Sequence, residues 1–308
     1  MQTEKMVMRN PTNPSRQKTQ DRLFIFFALL PAFLVVATCC FIPVVQSIAM
    51  SFFKYVLSRS GDYLWNNFAN YREIFSEGDL LPAIKVTLLY VFVVVAVQLS
   101  LGLILAVILN KSIAGRKFIR SLILLPWVVP TIITALLWAW LFHTQYGIVN
   151  FILVQLHILE KPVSWLGSVQ LALPSIMVTS VWKQLPLMVL MLLAGLQSIP
   201  LEMYEAALID GANGLKTFLH ITLPFLRNVI RTTVLMSIIM NFKQFPLFWT
   251  MTGGGPVNAT TTLAIYSYKN AFVNLNLGKG AAIATVWLLI LLLTYFIYDK
   301  VFKVNEIE

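Results

Sequence analysis

The sequence has 308 residues, of which 58% are hydrophobic and only 12% charged, whereas a soluble protein carries about twice that density of charge. With a mean hydropathy of +0.77 and several apolar runs of about twenty residues, each long enough for a helix to cross a bilayer, a soluble globular domain is excluded. The net charge of +10 does not read as a nucleic-acid footprint, because the basic residues cluster at the ends of apolar runs and not in a stripe with aromatics.

In chain order, residues 1–22 are polar and hold Pro11, Pro14 and the basic Lys5, Arg9, Arg16, Lys18 and Arg22; they read as a flexible cytoplasmic tail. Residues 23–303 read as one transmembrane domain. The first span covers about 23–50, with bends expected at Pro31 and Pro43, which a bilayer helix tolerates if neighbours satisfy the freed carbonyls. Its apolar run is too long for a cleavable signal and lacks a small-residue cleavage site. The adjacent Cys39 and Cys40 are too few and too close for a disulfide framework and read as packing residues. A polar segment over 51–82 contains Trp65-Asn66-Asn67-Phe68-Ala69-Asn70-Tyr71. Span two covers about 84–110 and is followed by a basic elbow of Lys111, Arg116, Lys117 and Arg120.

Span three is expected over about 121–142, with Pro126 and Pro130 inside it, and the loop 145–170 holds Gly147, Asn150 and Trp165. Span four covers about 171–197, and Pro186 is expected to open its helix. A polar island, about 198–224, separates it from span five at about 228–247. Thr252-Gly253-Gly254-Gly255-Pro256 follows, then span six at about 281–298.

The polar island predicts a short helix projecting on a tight elbow. Pro200 suits a first helical position, and Glu202 and Glu205 complement the dipole in the first turns. Tyr204, Leu208 and Ile209 are expected on one side. Ala206 and Ala207 give a low-profile surface. Gly211 and Asn213-Gly214 are expected to end the helix, since both residue types accept left-handed geometry. Such a helix suits docking into another protein.

Glu205-Ala206-Ala207, then Asp210-Gly211-Ala212, then Ile221-Thr222-Leu223-Pro224 at this spacing resembles the cytoplasmic loop of binding-protein-dependent ABC importer permeases. The Asn70-Tyr71 pair, the run Leu125-Pro126, Trp138, Gly147 and Asn150, and the Thr252–Pro256 turn are similar to the sugar-importing, maltose-type branch and its first membrane subunit. The resemblance implies an all-α membrane protein with six transmembrane helices and the type I ABC importer permease fold. It further implies that the loop forms a coupling helix seated in an ATPase subunit. Tyr204, Glu205, Ala206, Ala207, Asp210 and Gly211 would form the coupling set: Glu205 making polar contact, Ala206 and Ala207 allowing close approach, Gly211 setting the elbow. Phe245-Pro246 departs from the Phe-Asp common in relatives, which puts the adjoining end of span five in question. Read by itself, the triple-glycine turn is a flexible hairpin, since glycine permits almost any backbone path.

Lysines and arginines counted by segment give a two-to-one excess on the side of both termini and the Glu205 loop. By the positive-inside rule both termini and the loop are cytoplasmic.

The spans contain no Asp or Glu between their ends, and His143, His157 and His220 lie at span ends or in loops. A proton relay is thereby disfavoured, although an ion site of backbone carbonyls stays open. No metal-ligand cluster, serine elbow or phosphate-cradling glycine loop is present, so no catalytic or metal residue is assigned and the chain would bind no cofactor itself. ATP and Mg would belong to a partner ATPase.

The intramembrane polar residues Trp182, Lys183, Gln184, Asn241, Lys243 and Gln244 mark a candidate substrate pathway. A lysine at bilayer depth costs roughly 2.5–3.5 kcal/mol and should face water or a partner. One reading is a wet path suited to an acidic sugar or phosphorylated polyol; the other has Lys243 snorkelling outward and Lys183 packing on a second permease. Trp138, Trp140, Trp165 and Trp249 read as interfacial anchors.

The expected function is the permease subunit of an ATP-driven importer of sugars or oligosaccharides, acidic ones included, working by alternating access in a bacterial inner membrane. Its partners would be a second permease, two ATPase subunits and an extracytoplasmic solute-binding protein. The rivals are an ion-coupled secondary sugar transporter and an export or sensory subunit.

Overall fold

A computed structural model describes residues 14–57, 63–111 and 115–302. The first half of the expected tail, residues 1–13, lies outside them, as do 112–114 of the basic elbow and Lys303. Helix α1 (Pro14–Val36) begins well before residue 23, so the second half of the expected tail is helical. Pro14 at its start is where the missing N–H costs nothing. The helix passes through one π turn at Ala37–Phe41 into α2 (Ile42–Met50). Pro43 cannot donate to a carbonyl one turn back, and the wider turn takes up that break in the ladder without ending the helix.

A short antiparallel pair follows, with the two-residue strand β1 (Phe53–Lys54) against β2 (Leu64–Trp65) and Phe53 opposite Trp65. Then come α3 (Ala69–Ser76) and the long α4 (Leu80–Asn110). Asn70 is buried and donates to the Ser51 and Phe53 carbonyls at 2.8 and 2.9 Å, and the Tyr71 hydroxyl meets Ser51 Oγ at 2.6 Å. The Asn-Tyr pair therefore ties α3 to the end of the first span.

The third span is not one straight helix. It divides into α5 (Arg116–Val128) and α6 (Thr131–Leu141), bent by 95°. Next are α7 (Ile148–Gln155) and α8 (Ala172–Gln197). The expected opening at Pro186 does not occur: α8 runs continuously through it, held by buried neighbours Lys183, Gln184 and Met188. The polar island forms α9 (Leu201–Ile209) and α10 (Gly214–Thr217), and a π turn at Phe218–Thr222 leads into α11 (Leu223–Phe242).

Span five ends earlier than expected, because the helix stops at Phe242 and resumes as α12 (Pro246–Thr252), where Pro246 starts the new helix. Helices α13 (Leu263–Tyr268) and α14 (Leu277–Val301) complete the chain. Five helices among the described residues are long and apolar enough to cross a membrane, or six when the bent pair is counted as one span.

Packing centres on α4 against α8, with α11 and α12 completing the main core around Tyr90, Ile176, Ile238, Phe242, Leu247 and Phe248. Two glycines let helices close in. A Cβ on Gly102 would lie 2.6 Å from Met188 Cγ, and one on Gly195 would lie 2.8 and 2.9 Å from Leu226 and Val229 carbon atoms. A second core joins α3, α4, α13 and α14 at the hairpin end.

At that end Lys279 on α14 is buried between Glu73 and Glu77 of α3 and its following loop, 3.1 Å from Glu73 Oε1 and bonded to Glu77. Tyr266 donates to Glu77 Oε2 at 3.3 Å. Burial, reinforced by the Glu77 charge and hydrogen bond and by Asp79 and Glu73, holds the Tyr266 phenol above its ordinary pKa. At the opposite end of α14, Asp299 bonds Arg231 of α11 and the Tyr298 hydroxyl donates to the Arg231 carbonyl at 3.0 Å.

The triple-glycine turn is held, not slack. Gly253 and Gly254 have φ of 59° and 91°, and the following threonines bind the carbonyls of the second and third glycines: Thr261 Oγ1 donates to Gly254 O at 2.9 Å and Thr260 Oγ1 to Gly255 O at 2.7 Å.

Candidate functional site

The polar island stands at the end of α8 as a short helix with one braced side and one free side. It begins after Pro200, whose extended backbone (ψ 137°) makes it the N-cap and not the first helical residue, and Glu202 lies in the first turn. It ends in a Schellman turn. Gly211 adopts φ 72°, its N–H reaches Leu208 O at 3.1 Å, and the Ala212 N–H reaches Ala207 O at 2.9 Å. A Cβ on Gly211 would meet nothing within 4 Å, so backbone handedness alone selects glycine here. Asn213 does not help end α9 as expected. Its backbone is extended, and its side chain accepts from Lys216 N at 2.9 Å to cap α10, the role its short carbonyl suits.

The expected single side of Tyr204, Leu208 and Ile209 divides. The Tyr204 ring packs against the chain's own core, and its hydroxyl meets Thr222 Oγ1 at 3.3 Å. Ala207 is buried beside it, so its small size serves contact within this chain. Leu208 and Ile209 are 77% and 86% exposed, and Leu201 is also exposed. Glu205, Ala206, Asp210 and Gly211 complete the open side. Five residues separate Tyr204 from Ile209, about 140° around a helix of 3.6 residues per turn, which is why the two diverge.

The six pathway residues part into three places. Gln184 on α8 and Asn241 on α11 meet in a buried polar cluster, with Gln184 Nε2 3.2 Å from Asn241 Oδ1 and 3.1 Å from Ser180 Oγ. Tyr90 of α4 joins it: its hydroxyl lies 2.6 Å from Ser180 Oγ and donates to Asn241 Oδ1 at 3.0 Å. Ser237 donates to Gln98 Oε1 at 2.7 Å, and Asn241 Nδ2 donates to Ser237 O at 2.9 Å.

Trp182 and Lys183 turn to the bent span instead. The Trp182 ring meets Trp138 edge-on at 5.7 Å, and Lys183 Nζ donates to the Val129 carbonyl at 2.6 Å. Lys243 is exposed at the α11 break, where it lines a crevice of 260 Å³ with Val44, Ile48, Thr285 and Trp287. Gln244 sits in the break, its N–H on Asn241 O at 3.1 Å.

Sequence reading missed Tyr90, Gln98, Ser180 and Ser237. A signal existed: Ser180 and Gln184, and likewise Ser237 and Asn241, are four residues apart, the spacing of one helix face. A small pocket of about 20 Å³, the size of a single water, adjoins the cluster, lined by Gln98, Gln184, Thr233 and Ser237 with Leu187 and the methionines 188, 191, 236 and 240. Of the tryptophans, Trp165 donates to Asn150 Oδ1 at 3.0 Å, and Trp249 stacks on Phe245 at 5.8 Å. Among the described residues no group of His, Cys, Asp and Glu could hold a metal ion.

Comparison with known proteins places this geometry in a family. Residues 98–303 match the model of the binding-protein-dependent transport system inner membrane component. The trehalose/maltose transport system permease protein MalF of Thermococcus litoralis is 35% identical over 93% of this chain and 96% of its own length. The sulfoquinovosyl glycerol transport system permease protein SmoG of Agrobacterium fabrum is 33% identical over 93% and 92%. A chain in the crystal structure of a bacterial ABC transporter involved in the import of the acidic polysaccharide alginate superposes with a TM-score of 0.77 at 20% identity, covering 94% of this chain and 99% of that one. The chain is thus a multi-pass inner-membrane permease subunit, not an enzyme, and belongs to the family of binding-protein-dependent transport system inner membrane components.

Proposed function

We propose that the chain is one of two permease halves of an ATP-driven importer that moves a saccharide or glycoside by alternating access. The observation that carries the reading is the short link between α8 and α9: the polar cluster sits midway along α8, and only Ser198, Ile199 and Pro200 separate the end of that helix from the protruding one. Two ATPase subunits, which hold ATP and Mg, would seat α9 on the cytoplasmic face, and a solute-binding protein would deliver the cargo from the other side. Both termini are read as cytoplasmic from the distribution of basic residues. On the open side of α9, Leu208 and Ile209 offer apolar contact, Glu205 polar contact, and Ala206 close approach. Tyr204 and Ala207 brace the helix from within, and Gly211 sets the elbow beside Asp210.

The names of the trehalose/maltose and sulfoquinovosyl glycerol permeases support a sugar-derived cargo. The amides and hydroxyls of Gln98, Gln184, Ser237 and Asn241 support recognition through hydroxyl groups. An ion-coupled carrier is the second reading; the absence of Asp and Glu from the cluster speaks against it.

The test is ATP hydrolysis by the reconstituted complex with its binding protein, across neutral and acidic saccharides. Stimulation by at least one saccharide is expected. Hydrolysis indifferent to every saccharide, or uphill uptake that persists with an inactive ATPase, would contradict the proposal.

A further inference from the structure

The 95° turn between α5 and α6 has a local cause. A residue before proline is driven out of helical geometry, and Val129 and Pro130 are both extended, with ψ of 131° and 141°. The helical ladder lapses across these two residues. The Val129 carbonyl is thereby left without a helical N–H inside an apolar span, where an orphaned acceptor is costly. Lys183 Nζ supplies the missing donor from α8 at 2.6 Å, and the lysine is only 8% exposed. Its neighbour Gln184 points about 100° away around the helix, into the polar cluster. The two adjacent polar residues therefore serve different structures.

We infer that Lys183 is a positioning residue which pins the hinge of the bent span to α8, and that it is not a ligand of the transported solute. The inference rests on the transport reading above. Helix α8 packs along both α5 and α6 and leads directly into α9. Lys183 lies about 21 Å from the α9 end of α8 at 1.5 Å per residue. A displacement of α9 is passed along α8 to Lys183, and the hinge at Val129 moves with it. The bend angle is then set by the position of α8.

The test uses the complete complex in proteoliposomes, with uptake of one neutral and one acidic saccharide. Spin labels at the exposed Leu122 and Leu136 report the distance between α5 and α6. Lys183→Met keeps the stem and removes the donor. It is expected to lower maximal uptake by about tenfold, equally for both saccharides, the scale set by a buried acceptor left unpaired. KM should stay unchanged and the Leu122–Leu136 distance distribution should broaden. Lys183→Arg keeps a donor and is expected to restore the narrow distribution and most of the rate.

A raised KM, or a changed preference between acidic and neutral saccharides, with the distance unaltered, would overturn the inference. If Lys183→Met does not assemble, Lys183→Leu, which also lacks a donor, is judged on the same two readouts, with the same outcomes for and against. Lack of uptake by the wild-type complex would contradict the transport reading instead, and the distance distributions alone would then decide the hinge.

Discussion

Tyr204 on the projecting helix and Thr222 at the root of α11 meet through their hydroxyls at 3.3 Å, so the helix is braced from within by the residue just before its Glu205-Ala206-Ala207 triplet. The braced side and the free side predict different mutant behaviour. Tyr204→Phe keeps the ring packing and loses one long hydrogen bond, so ATPase coupling should fall by no more than about threefold. Ile209→Asp, on the side that is 86% exposed, should leave insertion and thermal stability unchanged yet reduce ATPase co-purification by more than about tenfold. Equal effects from the two variants would contradict this division of the helix.

Gly211 predicts a substitution series governed by backbone handedness. With φ at 72° and open space around the missing Cβ, Gly211→Asn should be tolerated, while Gly211→Ala should cost about 1 kcal/mol and Gly211→Val more. Thermal melting of the purified permease checks the order. An alanine variant as stable as wild type would show that the turn relaxes.

The buried cluster predicts that Asn241→Ala is worse than Tyr90→Phe. Asn241 Oδ1 accepts from Tyr90 and Gln184, and its amide donates to Ser237 O, so its removal leaves several buried groups unpaired. Tyr90→Phe removes one hydroxyl and leaves the aromatic packing on Phe248 at 4.7 Å. Uptake should fall by about tenfold or more for the first and about threefold for the second. Uptake rates normalised to assembled complex give the comparison.

Close approach of α8 and α11 predicts that Gly195→Leu lowers the melting temperature and the coupled ATPase rate together, since even a Cβ there comes within 2.9 Å of Leu226 and Val229. A rate loss without a stability loss would mean that the contact acts on coupling by itself.

How much of this was legible in the sequence follows from how local each signal is. Gly211, the Glu205-Ala206-Ala207 triplet and the apolar runs each declare themselves within a few neighbouring residues, and spans two and four and the projecting helix stand close to their expected positions. The break in span three was not legible because a proline alone does not decide it. Pro31, Pro126 and Pro186 lie inside helices that stay intact, whereas at Pro130 the helix ends. There a donor, Lys183, comes from another helix, far away in sequence. The same holds for the polar cluster: Tyr90, Ser180 and Asn241 belong to three helices, and each looks ordinary until the fold brings them within 3.3 Å of one another. Lys183, open in sequence between a pathway residue and a contact with a second permease, finds its partner in a backbone carbonyl 54 positions earlier in the chain.

The central claim is that α9 takes the thrust of a motor that this chain does not contain. Co-purification of the ATPase with the Glu205→Lys permease, compared with wild type at equal membrane content, tests it most directly. The account predicts normal insertion of the variant with loss of the ATPase, or its retention without solute-stimulated hydrolysis. A full ATPase complement with wild-type stimulated hydrolysis would contradict it.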